Sequence, residues 1–284
     1  MERKKVTIRD LMEMKKKGEK IVAISLHDYP TAVFAEMSGA DMVLVGDGSV
    51  GMTGLGYNNT IPVSMDEMII ACKAVVRGAK HPLVMGDMPF MSYQIGETQA
   101  LQNATRFMKE AEVDAVKLEG GKEVCDKVKA ISEAGIPVVG HIGLTPQSAS
   151  LSGGYRVQGK TAQNAKKILE DAIELEKSGA FAIVIEFATT ESAKIITERL
   201  SIPTLGWGSG PHCDGIGLNV CDILGLGLGL TPSFAKNWAN LHDSMLNAFE
   251  SYRKEVKDGK FPEDKHCIHM KEEELKNLTK LKMK

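Results

Sequence analysis

Short, nearly uninterrupted apolar runs recur along the chain, and stretches with helical spacing separate most of them. Runs without polar alternation are typical of strands buried on both faces, as in parallel sheets. Eight such runs occur: KIVAIS (20–25), DMVLVGD (41–47), PLVMGD (82–87), AVKLEG (115–120), IPVVGH (136–141), AIVIEF (182–187), IPTLGWG (202–208) and CDILGLG (221–227). The pattern predicts eight buried parallel strands.

Helical patterns fill most of the intervals between these runs. Ser64 and Glu67 form a capping-box signature before apolar residues at helical spacing. Residues 98–113 repeat apolar positions at the same spacing, and residues 1–20 predict a short amphipathic helix. Alternating strands and helices with no linker-like stretch predict an α/β fold, a single-domain (β/α)8 TIM barrel. An open doubly wound sheet is the alternative.

The ends of the chain are predicted to lie outside this repeating pattern. The domain is expected to span residues 1–284, with a helical C-terminal extension that starts near Leu230. That extension is expected to pack outside the barrel or on a neighbouring subunit. Residues 270–284 are rich in lysine, and we expect them to be a mobile tail.

Composition narrows the possible function classes. A formal net charge of −2 and a pI near 6.4 give no electrostatic footprint for nucleic acid or an acidic membrane surface. No apolar run approaches the ~18 residues that a membrane span needs, and the N-terminus lacks the apolar core of a signal peptide. The five cysteines have neither zinc-site nor redox spacing. A cytoplasmic location is therefore expected.

The predicted strand ends carry most of the candidate chemistry. In a barrel of this kind the active site lies at the C-terminal ends of the strands. Five consecutive strands bring ionisable residues to that rim: Asp47, Asp87, Lys117 with Glu119, His141, and Glu186. Converging carboxylates repel each other, and a hard divalent cation such as Mg²⁺ relieves that repulsion. The sequence predicts a magnesium site formed by Asp47, Asp87 and Glu119.

The stretch VLVGDGSVGM (43–52) also matches the G-x-G-x-x-G fingerprint of dinucleotide-binding folds. That fingerprint has to open a helix and be followed by an acidic residue about 20 positions later. Here no helix pattern follows directly, and the next helix start is at Ser64. We therefore interpret the glycines as the frame of Asp47 and not as a nucleotide loop.

Several motifs together resemble one enzyme family. They include LVGD (44–47), VKLEGG (116–121), GIPVVGHIGLTPQS (135–148) and GGYRVQGK (153–160). On these motifs the chain resembles ketopantoate hydroxymethyltransferases over nearly its whole length. HIGLTPQS followed by GGYRVQG carries the resemblance most specifically, because neither string follows from a generic barrel pattern.

The resemblance implies a (β/α)8 magnesium enzyme of pantothenate biosynthesis. Such an enzyme transfers a hydroxymethyl group from 5,10-methylenetetrahydrofolate to 3-methyl-2-oxobutanoate through a Mg-stabilised enolate, giving 2-dehydropantoate. It implies metal ligation by Asp47, Asp87 and Glu119, substrate contacts from Lys117 and His141, and Glu186 as the base. The family commonly forms homodecamers, so a homo-oligomer is expected, with a 2-oxo acid and a folate as small-molecule partners.

The chain departs from the family pattern around the first strand-end aspartate. The family usually has serine directly after that aspartate, where it contacts the substrate carboxylate, but here the position is Gly48. The loop 48–60 is one residue longer than usual, so Ser49 can take that role only if the backbone shifts. We predict substrate contacts from Gly48 and Ser49. The family's GIGAG is GWGSG here, which places Trp207 at the rim.

Two alternative functions remain at this point. One is another Mg-dependent enzyme that forms or cleaves C–C bonds in 2-oxo acids. The related lyases usually carry a Cys-Gly-His loop, and that string does not occur here. The other is a non-enzymatic ligand-binding barrel, but the presence of Glu186 and Lys117 argues against it, because binding alone needs no base.

Overall fold

A computed structural model of the protein describes residues 3–151, 153–227 and 232–281. Eight parallel strands close into a barrel in which each strand pairs with the next and the last pairs with the first. The strands are β1 (Ile21–Ser25), β2 (Met42–Val45), β3 (Leu83–Asp87), β4 (Ala115–Glu119), β5 (Val138–Gly143), β6 (Ala182–Glu186), β7 (Thr204–Trp207) and β8 (Gly215–Asn219). The predicted (β/α)8 barrel is confirmed.

Helices surround this barrel and extend beyond it. They are α1 (Ile8–Lys17), α2 (Tyr29–Ser38), α3 (Met65–Gly78), α4 (Glu97–Glu110), α5 (Cys125–Glu133), α6 (Ala162–Lys177), α7 (Thr190–Arg199), α8 (Val220–Leu224), α9 (Leu241–Lys257) and α10 (Glu272–Lys280). The predicted N-terminal helix is α1, whose Leu11 is fully buried. The capping box of Ser64 and Glu67 is present at the start of α3.

Two apolar clusters explain why the strand runs lack polar alternation. One fills the barrel interior and includes Met42, Met85 and Trp207. The other lies between the strands and the surrounding helices and includes Val43 and Phe107. Because the strands are buried on both faces, apolar residues are favoured at successive positions.

The predicted position of the eighth strand is wrong. The run 221–227 was expected to form it, but β8 is Gly215–Asn219, and the beginning of that run belongs to α8. All five residues of β8 pair with β1. A Cβ atom at Gly215 would lie 2.8 Å from the Cβ of Ile21, so close packing here requires glycine. Gly215 and Gly217 interrupt the apolar run by which a strand is recognised in a sequence.

The chain divides into two compact units, Met1–Trp238 and Ala239–Lys284. The first contains the barrel, and the second contains α9 and α10, which have no buried residues. The predicted helical character of the C-terminal extension is confirmed, while its predicted start near Leu230 lies outside the described residues. The mobility of residues 270–284 stays a prediction, and positions 282–284 lie outside the described residues. In the described ranges no helix is long and apolar enough to cross a membrane.

Candidate active site

The residues predicted at the strand ends line one cavity of about 620 Å³. Its walls include all eight candidates: Asp47, Gly48, Ser49, Asp87, Lys117, Glu119, His141 and Glu186. The strand register explains their neighbours, since Asp87 pairs with Lys117 across β3 and β4 and Glu119 pairs with His141 across β4 and β5. The structure brings these residues together in one cavity, and their roles stay predictions.

A continuous series of ion pairs and hydrogen-bond contacts connects the charged residues of the cavity wall. Lys117 Nζ lies 2.9 Å from Asp87 Oδ1 and 3.0 Å from His141 Nδ1. The imidazole bridges two glutamates, because Nδ1 is 3.3 Å from Glu119 Oε1 and Nε2 is 3.1 Å from Glu186 Oε2. The Glu186 side chain is 25% exposed, whereas those of Asp87 and Glu119 are only 3% and 2% exposed. Glu186 is therefore the carboxylate that faces the open part of the cavity.

The buried position of this cluster shifts its protonation. Burial, together with the charges of Asp87 and Glu119, raises the pKa of Asp47 well above its usual value. Burial lowers the pKa of Lys117, but the carboxylates around it outweigh that effect, so its pKa is raised and the amine stays protonated. Three buried carboxylates against one lysine leave excess negative charge, which is costly without a cation or a proton.

His141 has a raised pKa for a different balance of reasons. Burial and the charge of Lys117 lower the pKa of the imidazole. Its contacts with the carboxylates of Glu119 and Glu186 raise that pKa more, to about 9. The imidazole can therefore carry a proton 3.1 Å from Glu186 Oε2, where the two groups form an ion pair without hydrogen-bond geometry.

Gln147 connects two of the carboxylates and was not among the predicted site residues. Its side-chain Nε2 donates to Asp47 Oδ2 at 2.8 Å and to the Met88 carbonyl at 3.0 Å, while its backbone N–H donates to Glu119 Oε2 at 3.0 Å. Tyr93 Oη donates to Gln147 Oε1 at 2.7 Å. With donors around Oε1 and acceptors around Nε2, the amide has only one favourable orientation. Its place in HIGLTPQS was the available sequence signal.

The donor set fits a hard divalent cation in chemistry and in charge. The buried Asp87 Oδ1 accepts no hydrogen bond from the part of the chain that the structure describes, although Lys117 Nζ is 2.9 Å away. Oxygen donors with excess negative charge suit Mg²⁺. Across the described ranges no three His, Cys, Asp or Glu side chains already surround a single metal position. The metal assignment of Asp47, Asp87 and Glu119 therefore stays a prediction.

Residues Gly48–Gly54 form a π-helix directly after Asp47, where the sequence showed no helix pattern. Two of its glycines are required by packing. A Cβ atom at Gly51 would lie 2.4 Å from Val63 Cγ2, and one at Gly54 would lie 2.8 Å from His27 Cδ2. The glycines thus let the π-helix approach its neighbours, in agreement with their interpretation as a frame for Asp47.

Three hydroxyl groups lie beside the carboxylates in the cavity wall. Ser49 Oγ is 2.8 Å from Ser25 Oγ, and both residues are buried. The hydroxyl of Thr60 is buried and has no hydrogen-bond partner among the described residues. These groups form an uncharged polar surface that can accept or donate hydrogen bonds.

Comparisons with known proteins identify the family. The sequence model of the ketopantoate hydroxymethyltransferase family matches residues 5–264. The 3-methyl-2-oxobutanoate hydroxymethyltransferase of Carboxydothermus hydrogenoformans is 51% identical, covering 96% of this chain and 99% of the relative. The protein of that name from Syntrophomonas wolfei is 48% identical over the same shares. The chain belongs to the ketopantoate hydroxymethyltransferase family.

Solved structures of low sequence identity share the fold. A phosphonopyruvate hydrolase in complex with oxalate and Mg²⁺ has a TM-score of 0.59 and 13% identity, covering 96% of this chain and 94% of that one. A 2,3-dimethylmalate lyase of the PEP mutase/isocitrate lyase superfamily has a TM-score of 0.58 and 14% identity, with the same coverage. At these identities the likeness concerns the barrel fold alone.

The departure from the family pattern that the sequence predicts at Gly48 coincides with the start of the π-helix. A π-helix closes its hydrogen bonds between residues five apart, one more than an α-helix, and so accommodates an additional residue per turn. The segment in which an additional residue was predicted adopts this conformation, and Ser49 lies in the cavity wall. The backbone shift that Ser49 requires is thus compatible with the observed π-helix.

Trp207 lies deeper than the sequence predicted. It was expected at the rim, but it is only 5% exposed and belongs to the barrel-interior cluster while still lining the cavity. Gly217 on β8 makes room for it, since a Cβ atom there would lie 2.2 Å from Cη2 of the indole. The large residue on β7 therefore depends on a missing side chain on β8.

Proposed function

We propose that this chain transfers a hydroxymethyl group from 5,10-methylenetetrahydrofolate to 3-methyl-2-oxobutanoate, giving 2-dehydropantoate. The observation that carries the proposal is the position of Glu186, partly exposed to the cavity and in contact with His141, above a buried charged cluster. Membership of the family supports the choice of reaction and substrates.

Glu186 is proposed to remove the proton from C3 of the oxo acid. A general base has to lie within hydrogen-bond reach of that proton and be held in one orientation. The 3.1 Å contact with His141 Nε2 restrains one carboxylate oxygen and leaves the other for the substrate. Lys117 stays protonated and offsets negative charge on the substrate oxygens.

The substrate carboxylate is proposed to bind along the surface of Gly48 and Ser49. Ser49 is held by its 2.8 Å contact with Ser25, which limits the rotation of its hydroxyl. Gly48 has open space at the position of a side chain, because among the described residues only Thr60 Cγ2, at 3.9 Å, lies within 4 Å of an added Cβ. The backbone there can approach a ligand closely.

We further propose that Asp47, Asp87 and Glu119 hold a Mg²⁺ ion. When bound, the ion would draw electron density from the carbonyl of the oxo acid and so acidify the C3–H bond. Gln147 would keep the carboxylates of Asp47 and Glu119 in place, since it donates a hydrogen bond to each.

The remaining steps follow from the composition of the product. After Glu186 breaks the C3–H bond, C3 forms a bond to the methylene carbon of the folate. The methylene carbon loses its bonds to N5 and N10 of the folate, and water supplies its hydroxyl group. Tetrahydrofolate leaves with two added protons, the one taken by Glu186 and one from water. We also propose a homo-oligomer, with a decamer as the family precedent, and a cytoplasmic location. The mass of the purified protein by light scattering tests the oligomer.

The proposal is tested by proton exchange. The protein is incubated with 3-methyl-2-oxobutanoate and Mg²⁺ in D2O, and the C3 proton is followed by NMR with and without 5,10-methylenetetrahydrofolate. Exchange together with formation of 2-dehydropantoate is expected. Exchange without that product favours another enzyme acting on 2-oxo acids. If no 2-oxo acid exchanges its proton, both enzymatic hypotheses, the hydroxymethyltransferase and another enzyme acting on 2-oxo acids, are contradicted.

The assignment of the base has its own variant. Glu186→Gln is expected to abolish exchange while the protein still binds the oxo acid, because the amide keeps the shape but cannot accept the proton. Glu191→Gln is the matched control, since Glu191 lies exposed on α7. Exchange at the wild-type rate in Glu186→Gln would show that another residue is the base.

A further inference from the structure

The cavity contains more space than a small oxo acid needs. Its volume of about 620 Å³ lies within the range that encloses a drug-sized ligand. The ionic cluster occupies only one part of its wall. Three aromatic side chains line another part, and we call Tyr155, Phe187 and Phe234 the aromatic wall.

The aromatic wall presents ring surface to the cavity. The ring centroids of Phe187 and Phe234 are 5.6 Å apart, with an angle of 52° between the ring planes. Tyr155 is 50% exposed and Phe234 36% exposed. Burial, followed by the charges of Glu186, Asp47 and Glu119, raises the pKa of the Tyr155 hydroxyl. The Tyr155 hydroxyl is thus near enough to these three carboxylates for their charges to act on it.

Phe187 adopts an unusual backbone conformation to reach this position. Successive side chains of a strand point to opposite faces, so the residue after Glu186 would normally point away from the cavity. Phe187 instead has φ of 46°, in the left-handed region that a bulky residue rarely adopts, and both residues line the cavity. Such outliers persist where the surrounding structure holds them and often mark functional sites.

Hydrogen bonds hold this conformation and the loop that carries Tyr155. The N–H of Phe187 donates to the Trp207 carbonyl at 2.7 Å, and the Phe187 carbonyl accepts from Gln158 N–H at 2.9 Å. The Gln158 carbonyl in turn accepts from Thr189 N–H at 2.9 Å. The segment after Tyr155 is therefore fixed against the end of β6.

Phe234 is accommodated by a glycine at the end of β7. An added Cβ at Gly208 would lie 2.5 Å from Cδ1 of the Phe234 ring, and Gly208 has φ of 66°. The ring thus packs directly on the backbone. Two rings of the wall thus depend on positive-φ backbone, Phe187 through its own φ of 46° and Phe234 through Gly208 beneath it.

We infer that the aromatic wall binds the ring system of the reduced folate that donates the one-carbon unit. This inference rests on the proposed function. Planar conjugated rings pack favourably on aromatic side chains in offset or edge-to-face arrangements. The donated carbon is attached between the two ring systems of the folate, and it has to come within bonding reach of the carbon that Glu186 deprotonates. Phe187, the next residue in the chain, places a ring surface beside that point.

The variants Phe234→Leu and Tyr155→Leu test the wall, separately and combined. Each removes a ring and keeps an apolar side chain. An aromatic pair is worth about 0.5–1.5 kcal/mol, which is about 2- to 12-fold in affinity. We expect each variant to raise the KM for 5,10-methylenetetrahydrofolate by about 2- to 12-fold, and the double variant to raise it by about 4- to 150-fold, the product of the two effects. The KM for the oxo acid is expected to change by less than about 3-fold.

Calorimetric titration with tetrahydrofolate measures the same effect without catalysis. Phe34→Leu is the control, because that ring is 68% exposed on α2 and outside the cavity. An unchanged KM for the folate donor in the active double variant, or an equal rise in both KM values, overturns the inference. A third outcome is that the wild type binds tetrahydrofolate, the double variant does not, and no oxo acid reacts. That outcome would support the aromatic wall as the folate site and contradict the proposed function. Tyr155 is half-exposed, so its variant reports even if Phe234→Leu does not fold.

Discussion

The close contact between Trp207 and Gly217 leads to a quantitative prediction about the stability of the protein. In Gly217→Ala the new methyl group would lie 2.2 Å from Cη2 and Cζ2 of the indole. The backbone of β8 cannot easily move away, because Gly217 pairs with Ala23 inside a five-residue ladder with β1. The indole therefore has to tilt, and overpacking of this kind costs about 1–3 kcal/mol.

The partner variant changes the same contact from the other side. Replacing a buried tryptophan by alanine costs about 3–5 kcal/mol, and isoleucine keeps part of the side chain. We therefore expect Trp207→Ile to lower the free energy of unfolding by about 3 kcal/mol. In the double variant the alanine methyl occupies space that the indole has left. The combined loss should fall short of the sum by about 1–2 kcal/mol, within the range for residues in contact.

Denaturant unfolding at one fixed protein concentration measures these free energies. Gly96→Ala is the matched control, since no atom of the residues that the structure describes lies within 4 Å of an added Cβ there. As Gly96 is the N-cap of α4, we expect a loss below about 1 kcal/mol. If the losses of the two single variants add to within about 0.5 kcal/mol in the double variant, the packing argument is refuted.

Trp207→Ile is also expected to change the substrate preference of the enzyme. Trp207 lines the cavity, so Trp207→Ile should enlarge the space available to the substrate. One methylene group in an apolar pocket is worth about 1–3 kcal/mol. We expect kcat/KM for an oxo acid with one additional methylene to rise about 10-fold relative to that for 3-methyl-2-oxobutanoate. An unchanged ratio would mean that the indole does not contact the substrate.

Two further predictions concern the polar part of the cavity. Gln147→Met removes the hydrogen bond to Asp47 and is expected to weaken Mn²⁺ binding, measured by calorimetry, by about 10- to 100-fold; equal affinity would leave Gln147 without a positioning role. Ser49→Ala is expected to raise the Kd for the oxo acid about 10- to 100-fold, since a hydrogen bond to a charged group is worth about 1.5–3 kcal/mol. An unaffected Kd would exclude Ser49 as the carboxylate contact.

The sequence by itself determined the architecture and the location of the site. Strands buried on both faces need apolar residues at successive positions, so seven of the eight strands could be recognised as apolar runs. Parallel strands in a closed barrel present their C-terminal ends to one rim. The ionisable residues at those ends, Asp47 and Glu186 among them, could therefore be assigned to one cavity before any contact was known.

Tertiary structure decided the features that depend on residues far apart in the chain. Gln147 bonds to Asp47 across 100 positions, and Trp207 fits only because Gly217 lies against its ring. The strand β8 is defined by its pairing with β1, although its glycines carry no apolar signal. The local sequence pattern indicates which face of a helix or strand is buried. Which side chains meet there is fixed only when the barrel closes and brings distant strands into register.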